Sequence, residues 1–314
     1  MKNSYRIMAG LALALMLIAN TGWAEAEKKA VLVTGANSGI GLKITELLSA
    51  NGFYVYAGAR KPADLERLDA MDNVSSVRLD VTVQDDIDAA VEFVNKQGRG
   101  LWGVVNNAGV GSFSPLSTGL DSDIEFVFDV NVYGPFRVNR AFLPLLEESG
   151  GRTTTIGSIA GYIAYGSGIY SMSKAAMESY TDNLAFDLQD SGVHVSIVEP
   201  GGFKSNFRVN VGKRALAAEA KGEIELSDAQ RERYTNTTAR ESSIKEPDAV
   251  AEAVLKLMST DTPQRRYMVT PNKNQADFTM QAAMSKVVEL NGDQPYSYTR
   301  DELVALLDDL LAAD

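Results

Sequence analysis

A phenol and an ammonium stand four residues apart in Tyr170-Ser-Met-Ser-Lys174, and a hydroxyl, Ser158, lies twelve residues before the phenol. On a helix, positions four apart share a face, so Tyr170 and Lys174 would project side by side. A phenol, with a reference pKa of about 10, is too weak an acid for work near neutrality. A fixed positive charge beside it favours phenolate and draws Tyr170 toward useful proton transfer. Alone the pair says little. The chain has 12 Tyr, and a Lys four places after one of them arises with roughly even odds. Its meaning rests on the elements that position it.

Composition removes most rivals for this role. The chain has no Cys, which excludes thiolate nucleophiles, disulfides and Cys-rich zinc sites. Its single His, His194, falls in the apolar run Val193–Val198 and reads as a strand residue. A His-based triad is therefore disfavoured and a multi-His zinc site is impossible. No metal is called for, although counting does not remove a carboxylate-bound magnesium. The 314 residues, 45% hydrophobic, suffice for one large domain with a substantial core. A formal charge of -11 argues against a nucleic-acid partner, because phosphate backbones select basic surfaces.

Residues 1–26 have their own character. Lys2 and Arg6 precede the uncharged run Ile7–Thr21, and Gly22-Trp-Ala-Glu-Ala26 follows. That is the pattern of a secretory signal peptide with cleavage after Ala24 or Ala26. The run is short of the about 20 residues that a membrane span needs, and an uncleaved N-terminal anchor is the second reading. Either places the globular part outside the cytoplasm, in the periplasm, with no stable membrane span once the segment is cleaved.

From Ala30 onward short β-rich runs alternate with helical patterns. The strands expected are Ala30–Thr34, Tyr54–Gly58, Val74–Leu79, Gly103–Asn106, Thr153–Ile156, Val193–Val198 and Arg266–Val269. Helical spacing covers Leu42–Ser49, Ile87–Lys96, Ile124–Leu146, Ala175–Leu188 and Ala249–Met258. This alternation predicts an α/β fold, a doubly wound parallel sheet of about seven strands in a single domain over 27–314. In such sheets the ligand crevice lies beyond the carboxyl ends of the strands.

The first strand runs into Gly35-Ala-Asn37-Ser38-Gly39-Ile40-Gly41, with a helix after it. Glycines there let the backbone turn tightly and approach a pyrophosphate, while the helix N-terminus offers free N–H groups and a favourable dipole. Such a turn after a first strand favours a nucleotide site. The second strand ends in Gly58-Ala-Arg60-Lys61, with no acid where NAD's ribose 2′-hydroxyl would be held. Arg60 with Lys61 suits a 2′-phosphate, which predicts NADP with NAD as the alternative.

These motifs resemble the short-chain dehydrogenase/reductase family. Thr34-Gly-Ala-Asn-Ser-Gly-Ile-Gly41 resembles its Thr-Gly-x-x-x-Gly-x-Gly turn, and Asn106-Asn-Ala-Gly109 its Asn-Asn-Ala-Gly element. Asn131, Ser158, Tyr170 and Lys174 match its catalytic set, and Pro200-Gly-Gly-Phe-Lys-Ser205 its Pro-Gly-x-x-x-Thr/Ser segment. The agreement runs from about Ala30 to Ser205 and extends toward Val269. The resemblance implies an oxidoreductase in which Tyr170 is the general acid or base and Ser158 steadies the substrate oxygen. It implies that Lys174 binds the nicotinamide ribose and lowers the Tyr170 pKa, with Asn131 holding a water behind it. Asp80 would contact adenine, Asn107, Ala108 and Gly109 would back the adenosine ribose, and Pro200, Gly201 and Ser205 would bracket the nicotinamide amide. Two departures stand out. Ser158 and Tyr170 are one residue closer than is commonest, and Ser38 replaces a basic residue that some NADP-preferring members carry.

Gly161-Tyr-Ile-Ala-Tyr-Gly-Ser-Gly168 should line the site with aromatic and apolar groups, and 203–243 should form a variable substrate lid. An apolar mouth with a lid suits a hydrophobic ketone or alcohol. The run around Gly192–Pro200 is similar to members acting on steroids and retinoids. A helical extension is expected over 276–314, with Thr299-Arg-Asp-Glu302 as a capping box, covering the substrate mouth or making a homodimer or homotetramer contact. The leading function is interconversion of a secondary alcohol and a carbonyl. A non-catalytic nucleotide-binding sensor or scaffold is the alternative, against which the intact Ser158, Tyr170 and Lys174 argue. An epimerase or dehydratase of the extended branch fits the glycine spacing less well.

Overall fold

The computed structural model describes residues 29–163 and 168–313. The signal-peptide segment 1–26 and Tyr165 of the site-lining stretch lie outside the described residues. Seven strands form one sheet: β1 (Ala30–Val33), β2 (Tyr54–Ala59), β3 (Val74–Arg78), β4 (Gly103–Asn106), β5 (Arg152–Ile156), β6 (His194–Pro200) and β7 (Arg266–Val269). Their order is β3-β2-β1-β4-β5-β6-β7 and every pairing is parallel. The order reverses between β1 and β4, which opens a crevice at the carboxyl ends of those strands.

Alternation along each strand fills two cores. Val31 and Val33 join one layer, together with α1 (Gly39–Ala50) and α10 (Asp248–Ser259). Ala30 and Leu32 join the other, against α3 (Gln84–Gln97), α5 (Gly134–Ser149) and α6 (Gly168–Asp187). A sheet covered on both faces needs both sets of side chains apolar, and all four residues of β1 are buried. Strand β5 departs from apolar filling, with Arg152, Thr153, Thr154 and Thr155 all buried. Arg152 carries the charge. Its guanidinium donates to the Leu257 and Thr260 carbonyls at 2.7 and 2.5 Å and stacks on Trp102, tying β5 to α10.

Several elements differ from the sequence reading. The single helix expected over Ile124–Leu146 is α4 (Asp121–Phe128), a π turn (Asp129–Tyr133) and then α5. Periodicity does not reveal one inserted residue, because each flank keeps its own 3.6-residue pattern. Helix α2 (Pro62–Asp69) starts directly after the basic pair Arg60-Lys61; Pro62 opens it at the first helical position, where a missing N–H costs nothing. The polar stretch 203–243 holds α7 (Phe207–Ala220), α8 (Asp228–Thr235) and α9 (Thr237–Glu241). Beyond β7 lie α11 (Lys273–Asn291) and α12 (Arg300–Ala313). Thr299 and Glu302 exchange capping hydrogen bonds before α12, at 2.7 Å from the Thr299 N–H and 3.3 Å from the Glu302 N–H. No helix among the described residues is long and apolar enough to cross a membrane.

Candidate active site

The glycine turn is shaped from below by the end of β4. Thr34, 1% exposed, accepts the N–H groups of Asn107 and Ala108, each at 3.0 Å, through its hydroxyl. In return the Asn107 amide donates to the Thr34 and Gly35 carbonyls at 2.9 and 3.1 Å. Gly35 and Gly39 take left-handed φ angles of 64° and 56°, conformations that favour glycine. A Cβ on Gly41 would collide with the Asn107 amide and the Gly35 carbonyl. The N-terminus of α1 is left open, since Ser38 is extended and caps nothing with its side chain. Its first N–H groups are thus available to an anion, and the tight, glycine-floored turn fits a pyrophosphate. Ile40 packs against the core beneath the turn. Asn37 is tied backward instead, donating to Asp64 at 3.1 Å and accepting Arg67 on its carbonyl at 2.6 Å.

Arg60 and Asp80, expected to meet different parts of the nucleotide, face each other at 3.3 Å. Burial pushes the Asp80 carboxyl up, but Thr82's two hydrogen bonds and the Arg60 guanidinium outweigh it and hold it below the usual range. Arg60 keeps most of its surface exposed, so its remaining donors face solvent beside the exposed Lys61.

Ser158, Tyr170, Lys174 and Asn131 converge past the ends of β4 and β5. Ser158 caps the 3-10 turn Ile159–Gly161, accepting the Ala160 N–H at 3.1 Å and donating to the Pro200 carbonyl at 3.4 Å. Tyr170 opens α6, partly exposed, with its ring 4.8 Å from that of Phe207. Lys174 is 6% exposed; its Nζ donates to the Ile156 carbonyl at 2.7 Å and lies 5.7 Å from the Tyr170 ring centre. The π turn aims Asn131 inward, donating to the Val110 carbonyl at 2.9 Å and to Ser173 at 3.0 Å while accepting the Val110 N–H at 2.8 Å. Gly109 lies between them, its absent Cβ marking a point 3.5 Å from Asn131 Oδ1 and 3.9 Å from Lys174 Nζ.

The electrostatics depart from the simple ammonium–phenol picture. Burial pushes the Tyr170 phenol up to about 12, and the groups that pull against it are the Ser158 hydroxyl and the Arg208 charge. Burial also pushes Lys174 down to about 8, with Glu178 opposing. The Lys174 ammonium is spent on the Ile156 carbonyl and is not among the groups that pull the phenol down, so burial decides the direction of the Tyr170 shift.

On the far wall, Gly201 donates to the Val269 carbonyl at 2.8 Å as β6 ends at Pro200. Ser205 accepts the Phe207 N–H at 3.3 Å and donates its own N–H to Glu241 at 3.2 Å. It reaches the glycine turn, 3.1 Å from where a Gly39 Cβ would lie. Thr34, Phe207 and Arg208 were missed as site residues. Thr34 was visible only as part of a motif, and the other two reach the site because α7 folds back over it, with Arg208 held by Glu241 at 2.7 Å.

A family model for short chain dehydrogenases matches residues 29–215, and the chain belongs to this family. It is 35% identical over 246 residues to an uncharacterized oxidoreductase, YbbO, of Escherichia coli K12, spanning 77% of this chain and 86% of that protein. It is 32% identical over 261 residues to mitochondrial D-beta-hydroxybutyrate dehydrogenase of Bos taurus, spanning 76% of each. Serine dehydrogenase, solved in its closed form with NADP+, superposes with a TM-score of 0.66 at 27% identity, covering 76% of this chain and 94% of that one.

Proposed function

We propose that the protein interconverts a secondary alcohol and a ketone, or a primary alcohol and an aldehyde, by hydride exchange with NADP, NAD being the second choice. The observation that carries this reading is the convergence of Ser158, Tyr170 and Lys174 on one wall of a crevice floored by the Gly35–Gly41 turn. The pyrophosphate would sit on the α1 N-terminus, and Arg60 with Lys61 would meet a 2′-phosphate. When bound, the nicotinamide gives or takes the hydride. In reduction, Tyr170 Oη donates its proton to the carbonyl oxygen while the Ser158 hydroxyl hydrogen-bonds the same oxygen and steadies its developing charge. Lys174 would hold the nicotinamide ribose, with Asn131 and Gly109 shaping the space around it.

Phe207 and Val211 approach Gly111 from α7, and the Phe207 ring lies against that of Tyr170, which favours an apolar substrate under a lid formed by 203–243. The basic start and apolar run of 1–26 favour export, with Met1 lost from the mature chain; N-terminal sequencing that finds Met1 would reject this. The catalytic reading is tested with protein from Glu27 onward, NADPH and a panel of ketones and aldehydes. Tyr170→Phe should lower kcat by about 10²–10⁴-fold with the fold intact. Full activity in that variant would remove Tyr170 from the mechanism.

A further inference from the structure

A second group of ionisable side chains lies behind the catalytic wall, on β6, β7, α6 and the loop that carries Ser158. The Tyr162 hydroxyl is 3.0 Å from Glu178 Oε2 and 3.3 Å from Glu199 Oε1. Arg266 Nε donates to Tyr162 Oη at 3.1 Å and to Glu178 Oε2 at 3.2 Å, and lies 3.8 Å from Glu199 Oε1. Its other arm is taken by Asp182 at 2.7 Å, which Arg265 also approaches at 3.4 Å. Glu199 is 3% exposed.

Each member is attached to a different part of the site. Tyr162 follows Ser158 by one turn of the loop, Glu178 follows Lys174 by one turn of α6, and Glu199 immediately precedes Pro200. Arg266 sits on β7, beside β6 in the sheet. The charges do not balance if both carboxyls are ionised, because one guanidinium faces Glu178 and Glu199 while also serving Asp182. Glu178 Oε1 is buried without a donor, the arrangement a proton on the neighbouring carboxyl would satisfy.

We propose that Tyr162, Glu178, Glu199 and Arg266 are positioning residues for the proton-transfer site. The proton on Glu199, facing Glu178, holds the Ser158 loop, the Tyr170–Lys174 helix and the Pro200 strand end together, and its loss releases them. Glu178 and Glu199, which share the Tyr162 hydroxyl and the Arg266 guanidinium, repel once both are charged. Burial and then Glu178 push the Glu199 carboxyl up to about 8, against the pull of Arg266 and Tyr162. Glu178 also acts on Lys174, raising its pKa against burial, so the state of the pair reaches the site electrostatically as well as mechanically.

This rests on the proposed chemistry of Tyr170, and the test separates the two. Glu199→Gln fixes the neutral form, and Glu178→Gln removes the opposing anion by an independent route. Carbonyl reduction by NADPH is followed at pH 7 and pH 9 in the wild type, in both variants and in Tyr170→Phe, and melting temperatures are recorded from pH 5 to pH 9. From pH 7 to pH 9 the wild-type kcat should fall by about fivefold more than that of either variant. A carboxyl whose folded pKa is raised binds a proton that the unfolded chain has already released, so it weakens the fold as pH climbs from about 4.5 toward 8. The melting temperature of Glu199→Gln should therefore gain on the wild type across that window. Equal pH 7 to pH 9 ratios, or parallel melting profiles, in the variants and the wild type overturn the cluster's role while an inactive Tyr170→Phe leaves the chemistry standing. An active Tyr170→Phe overturns both.

Discussion

Lys174→Met should stabilise the fold at neutral pH while abolishing activity. Lys174 is 6% exposed and burial drives its pKa from 10.5 to about 8. At about 1.36 kcal/mol per pKa unit, that fall corresponds to roughly 3 kcal/mol against the charged form. Methionine fills a similar volume without a charge, but it leaves the Ile156 carbonyl, now bonded at 2.7 Å, without its donor. The lost hydrogen bond costs about 1–3 kcal/mol, so the net gain at pH 7 is on the order of 1 kcal/mol. For a chain of this size that is a rise of about 2–4 °C in Tm. The sign with pH is definite. Lysine's penalty is complete below about pH 8 and fades toward 10.5, because over that interval the unfolded chain holds a proton the folded chain has lost. Wild-type Tm should therefore close on that of the variant between pH 8 and 10. A variant-minus-wild-type difference that stays constant from pH 6 to pH 10, by scanning calorimetry, refutes the claim that Lys174 is held charged at a cost to stability.

Arg60→Ala should raise KM for NADPH by about tenfold or more and leave NADH nearly unchanged, since a phosphate contact through an arginine is worth about 1.5–3 kcal/mol. Steady-state kinetics with the two cofactors check this, and tenfold better use of NADH by the wild type would overturn the proposed preference for NADP. Gly41→Ala should abolish cofactor binding measured by fluorescence titration, because its Cβ would displace the Asn107 amide that supports the turn. Arg214→Met should cost about 3–5 kcal/mol by stranding Asp123, which is 4% exposed and also holds Ser112. Amide exchange should then rise first in α7, and uniform exchange across the chain would disprove the local effect.

The parallel sheet was legible because both of its signals are local. Val31 and Val33 alternate with Ala30 and Leu32, and a glycine turn follows them. The site was legible where motif and strand end coincide, as at Ser158 after β5 and Tyr170 at the start of α6. What escaped depends on side chains reaching across the fold. Nothing near Arg60 in the sequence announces Asp80 as its partner, and nothing near Tyr170 announces Phe207. The reversal of the expected Tyr170 shift has the same origin. Its sign is decided by how deeply the phenol is packed and by where the Lys174 ammonium points, and spacing along the chain encodes neither.

The π turn at Asp129–Tyr133 makes 121–149 a single rod with a phase change in the middle. Each residue advances a helix by about 100°, so one extra residue rotates everything after it by that amount. The rod can thus direct Asn131 into the crevice and still present Val138, Phe142 and Leu146 to the core. A deletion of one residue here would behave as a rotation imposed on a whole helix, turning three core side chains at once. It also makes this stretch a hazard for sequence alignment. A single gap placed on the wrong side of the turn pairs Asn131 with a neighbour's core residue, and a register error in the comparison would pass for a lost functional group.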